Sequence, residues 1–142
     1  MTIRIVRLGS PRLPGEGLRI GAVRYPPRGV PKRELAARDF YDVWFPVLAP
    51  SAEAVRSAKG ASSDREWAAF ERKYRAEMKD PERQRTLDLL AALSLSADFS
   101  LGCYCEDESR CHRSVLRKLL EERGAKLFRR PGSRRDGSGQ GG

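Results

Sequence analysis

Residues 103–113, Cys-Tyr-Cys-Glu-Asp-Glu-Ser-Arg-Cys-His-Arg, hold all three cysteines of the chain and its single histidine. Side chains of these types, so closely spaced, fit three chemistries. In the first, Cys111 or Cys103 is an activated thiol: a helix N-terminus and the flanking Arg110 and Arg113 favour the thiolate, and His112 is its acid–base neighbour. Glu106, Asp107 and Glu108 oppose that activation and suit a ligand carrying both an amine and an acid. In the second, Cys103, Cys105, Cys111 and His112 are the four tetrahedral N/S ligands of a zinc ion. The spacing is the weak point, since C-x-C followed by an adjacent Cys-His differs from the paired two-residue gaps of common zinc modules, and adjacent ligands converge poorly. In the third, the cysteines are small buried hydrophobes and His112 only hydrogen-bonds at a helix start. Counted from Cys103 and from Cys105, the arginine six positions on that a phosphatase signature needs is absent: Ser109 and Cys111 occupy those places. No phosphate-binding loop, dinucleotide glycine motif, serine nucleophile elbow or H-E-x-x-H occurs, so no cofactor is expected and no metal residue is assigned.

The elements around this run can be read from periodicity. Ile3 to Leu8 alternates and ends at Gly9-Ser10-Pro11, a first strand, and Leu18 to Val23 is a second. The segment from Tyr25 to Pro31 has three prolines and is a stiff loop with Arg28 inside it and Arg24 and Lys32 on its flanks. Glu34 to Phe40 reads as a short helix, interrupted by Trp44-Phe45-Pro46. Ser51 is an N-cap, and Ser63 with Glu66 forms a capping box for a helix whose Trp67, Phe70, Tyr74 and Met78 share a core face. Pro81 opens another helix, to about Leu93. Phe99 to Tyr104 is a third strand, His112 to Arg123 the last helix with Gly124 after it, and Ala125 to Phe128 a final strand. Strands separated by helices predict a small single α/β domain, its central sheet mostly parallel and flanked by helices, over residues 1–128. The dense polar run then lies between a strand end and a helix start, the edge at which open α/β sheets bind ligands.

With 142 residues, 39% hydrophobic and 33% charged, the chain suits one core. No apolar run is long enough to span a membrane and the N-terminus lacks a signal sequence, so no membrane partner and a cytoplasmic location are expected. Three cysteines within nine residues form no framework of distant bridges. The net charge is +9. Four arginines and Asp136 place +3 of it in residues 129–142, a Gly/Ser/Arg-rich segment read as a disordered basic tail, and leave +6 on the body. That balance favours polyanions and allows weak nucleic-acid binding. In the body the basic residues alternate with acids, as a solvated helix surface does.

Across most of residues 17–127 the chain resembles the DUF488 family, in its short, YeaO-like branch. The resemblance rests on Gly17-x-Arg19-Ile20, on Arg24 with Pro27-Arg28-Gly29, on Lys32, on Asp42-x-Trp44 followed by Pro50-Ser51, and on Trp67-x-x-Phe70 with Tyr74-x-x-Glu77. The family's C-x-E…C-H-R pattern corresponds to Cys103 and Cys111-His112-Arg113. Val23 stands where the family usually has an acid, Pro26 where it has tryptophan, and Cys105 replaces the acid of C-x-E, a role that would fall to Glu106 or Asp107 if that acid is a general base. The resemblance implies an α/β fold and a pocket shared by Arg24 and Arg28 with Cys103, His112 and Arg113, and it supplies no activity. Arg24 and Arg28 are equally well read as structural partners of carboxylates such as Asp42. The leading expectation is a protein binding a small anionic or zwitterionic ligand, with Cys103, Cys111 and His112 the catalytic candidates and Arg24, Arg28 and Arg113 the binding ones; whether it is an enzyme is left open. A nucleic-acid accessory protein and a zinc-stabilised interaction module are the alternatives, and the oligomeric state is left open.

Overall fold

Branched residues at the start of the chain and an apolar run before Cys103 build the centre of the molecule. The computed structural model describes residues 1–104 and 111–128. Its strands are β1 (Ile3–Arg7), β2 (Leu18–Gly21), β3 (Val43–Trp44) and β4 (Phe99–Cys103), all parallel, in the order β1-β4-β2-β3. The helices are α1 (Ala52–Lys59), α2 (Asp64–Glu77), α3 (Pro81–Leu93) and α4 (His112–Glu122). The chain is thus a small single α/β domain with a wholly parallel sheet among the described residues. No helix among them is long and apolar enough to cross a membrane.

β4 is buried along its whole length because a neighbour lies on each side and chain covers each face. Phe99 and Leu101 join Ile3 in the main core, against Phe70 and Tyr74 of α2, Leu87 of α3, and Val115 and Leu116 of α4. The alternate residue Ser100 points the other way, where its hydroxyl meets Glu16 at 2.7 Å. On that face Arg19 and Glu16, 0% and 2% exposed, form a bidentate pair at 2.7 and 2.9 Å. Arg19 also donates to the carbonyls of Ser10 and Asp39, pinning two loops to the sheet.

The helix starts are built locally. Ser51 accepts from the Ala54 amide, Ser63 and Glu66 form the reciprocal capping box, and Asp80 caps α3 with Pro81 in its first turn. Three expectations are corrected. Glu34 to Phe40 is not a helix: a 3-10 turn over Lys32–Glu34 is followed by turns, with Asp39 at a φ of 63°. Arg19 and the Gly9 amide both capture the Asp39 carbonyl, which forces the chain to double back. Next, Val43–Trp44 is a short edge strand rather than an interruption. Finally, Ala125 to Phe128 supplies a single parallel bridge, Ile3 to Leu127, rather than a strand. The basic tail, residues 129–142, lies outside the described residues.

Candidate functional site

Parallel strands end together, so the C-terminal edge of the sheet collects Arg7, Cys103, Ala22 and Trp44. α4 begins beside that edge. Its N-cap position is Cys111, whose side chain makes no capping hydrogen bond, and its first residue is His112. Cys103 and Cys111 are buried thiols, 1% and 2% exposed, packed with Leu8, Val23, Leu35 and Tyr41. His112 is half-buried. The two sulfurs and an imidazole nitrogen all lie within 4.8 Å of one another. The expectation that adjacent Cys and His ligands converge poorly is therefore overturned. Cys111 has extended backbone and His112 is helical, and the change of direction at the helix start turns both side chains to one side.

His112 Nε2 lies 2.7 Å from the carbonyl oxygen of Ala22, ninety positions earlier. A carbonyl only accepts, so Nε2 carries the proton and, in the neutral ring, Nδ1 keeps its lone pair. The Tyr104 hydroxyl donates to the Tyr25 carbonyl at 2.9 Å. These two bonds fasten the segment after β2 to both ends of the β4–α4 connection, so the two regions that the sequence pairs do meet. The Tyr74 ring stands edge-on to His112, with centroids 5.7 Å apart, and its hydroxyl donates to the Leu48 carbonyl at 2.5 Å. Burial, reinforced by the nearby Cys103 and Cys111, pushes the Tyr74 phenol far above its usual range, so it remains a neutral donor. Burial and then Tyr41 and Cys103 do the same to Tyr104.

The arginines separate. Arg24 is half-buried and donates from Nε to Pro50 O and from Nη2 to Ala49 O, both at 3.1 Å, which ties its loop to the start of α1. Its carboxylate pairing with Asp42 does not form: Asp42 is held instead by Arg12, at 2.9 and 3.1 Å, and by the Arg19 amide. Arg28 is exposed on the same loop. Arg113 is buried, 4% exposed, in the first turn of α4. Cys105, Glu106, Asp107, Glu108 and Arg110 lie outside the described residues.

Sequence reasoning missed Tyr74 as a neighbour of the imidazole, because its place in an aromatic stripe reads as packing. It also missed the Ala22 carbonyl, which no side-chain pattern reveals. A family model described as the active DUF488-N3 subclade, DUF488-N3a, matches residues 3–124. No curated protein and no solved structure matches the chain.

Proposed function

The chain belongs to the DUF488 family, and from that premise we propose that it is an enzyme that binds a small anionic or zwitterionic molecule at the C-terminal edge of its sheet. Cys103, Cys111 and His112 form the reactive centre, for nucleophilic or acid–base work. Arg28 and Arg113 hold the anion, and Arg24 positions the loop between them. The observation that carries this reading is the bond from His112 Nε2 to the Ala22 carbonyl. It joins two chain segments at the edge where parallel sheets present ligand sites, and it fixes the tautomer of the imidazole. Thermal unfolding with inorganic phosphate, and separately with glutamate, tests the reading. One of these probes is expected to raise the midpoint of the wild-type chain. Arg28→Ala, at an exposed position, is expected to keep the unliganded midpoint and lose most of the rise. A wild-type midpoint that neither probe moves removes the reading.

A second reading, a nucleic-acid accessory role, is favoured by a separate feature. Between α2, α3 and α4 lies a cleft of about 610 Å³ in which Arg72, Arg75, Lys79 and Arg123 face one acid, Glu122. Glu71 and Glu122 pair with Arg75, and Asp88 with Arg123, so much of that charge is answered internally.

A further inference from the structure

Cys103, Cys111 and His112 are the one cluster of three metal-ligating side chains that the described residues bring together. We propose that they hold a zinc ion through two thiolates and one imidazole. This does not depend on the ligand reading, and where zinc is bound these three side chains ligate it in place of the nucleophilic or acid–base work proposed above.

Three observations converge. The first is distance. Zinc bonds of about 2.3 Å to sulfur and about 2.1 Å to nitrogen set tetrahedral ligand atoms roughly 3.5–3.8 Å apart. The two sulfurs and one imidazole nitrogen already lie within 4.8 Å of one another, so side-chain rotations can close the site. The second is the orientation of the imidazole. A ligating histidine usually gives its other N–H to a carbonyl or carboxylate, which fixes the ring and raises its basicity. His112 does this with Ala22 O at 2.7 Å, which leaves Nδ1 as the ligand atom. The third is electrostatic. An uncompensated dication could not sit among Leu8, Val23, Leu35 and Tyr41. Two thiolates cancel its charge, and their two protons leave to solvent as the ion enters. The Cys111 thiolate would also occupy the N-cap of α4, which lacks a side-chain cap, at the positive end of the helix dipole.

The full-length chain, purified from zinc-supplemented cells under reducing conditions without chelator, is assayed for metal. The metal-free chain is then titrated with Co²⁺, whose tetrahedral thiolate complexes absorb strongly in the near-ultraviolet and visible. One zinc per chain is expected, with thiolate-to-cobalt and intense d–d bands saturating at one equivalent. The Cys103→Ser/Cys111→Ser double variant should lose the thiolate band. Since removing buried thiols can unsettle the core, His112→Gln is the second variant. It should weaken cobalt binding about tenfold or more while the far-ultraviolet circular dichroism stays unchanged. A wild-type chain that takes up no zinc and shows no thiolate band overturns the proposal, as does a band that survives intact in the double variant. Metal without a phosphate or glutamate shift leaves this inference standing and removes the ligand reading; a shift in a chain that takes up no metal does the reverse.

Discussion

Glu16 is a buried carboxylate whose ionisation supports the fold. Burial opposes its charge, yet hydrogen bonds from Arg19, Ser100 and the Leu13 amide outweigh that penalty and hold its carboxyl at about 2, down from 4.5. A depressed folded-state pKa contributes stability that is complete above the unfolded value and disappears as pH falls from 4.5 toward 2. Denaturant unfolding across that window should show a loss of order 3 kcal/mol from this group. Glu16→Gln should flatten that part of the profile. It should also cost roughly 3–5 kcal/mol at neutral pH, because Arg19 is left buried without its carboxylate. A variant with an equally steep acid limb would refute the assignment. Little of this pair was legible beforehand: Gly17-x-Arg19-Ile20 registers as a family motif, but an i,i+3 pair from a turn into a strand has no periodic signature, and Ser100 is 84 positions from Glu16. The Cys-His run was legible because rare reactive side chains stand out by type.

Secondary-structure elements were legible where their signals are local. Ser51, Ser63 with Glu66, and Pro81 mark helix starts by side-chain chemistry within one turn, and each starts a helix in the structure. Ser63→Ala should therefore cost about 1 kcal/mol, read from the thermal midpoint. The segment from 34 to 40 misled because its breaking point, the Asp39 carbonyl, is captured by Arg19 and Gly9, contacts no local pattern encodes. β3 escaped notice because two residues are too few to alternate. Where β2 meets the 32–42 segment, the ring of Tyr41 packs against Gly21. A β-carbon added at Gly21 would come within 2.4 Å of that ring. Gly21→Ala should thus lower stability by about 2 kcal/mol and loosen the strand end next to Ala22. Unchanged stability, together with an unchanged His112 ring NMR shift, would contradict that packing.

For the molecule as a whole, charge distribution decides between the two functional readings. Residues 129–142 carry +3 of the +9. If nucleic acid is a partner, deleting them should reduce the slope of log affinity against log salt by about 2 to 3 on duplex DNA. No binding of the full chain at about 0.15 M salt would close that reading. The parallel class of the sheet was foreseeable from strands alternating with helices, but its strand order was not, because nothing local specifies which strands become neighbours. That order shapes how the protein is made. β4 lies between β1 and β2 yet is synthesised long after both. On the ribosome, β1 must wait without a partner while almost one hundred residues emerge, and only β2 and β3 can pair early. The sheet closes when residues 99–103 arrive, and the imidazole reaches the Ala22 carbonyl later still. A nascent chain halted before residue 99 therefore exposes open strand edges, the kind of surface that chaperones shield.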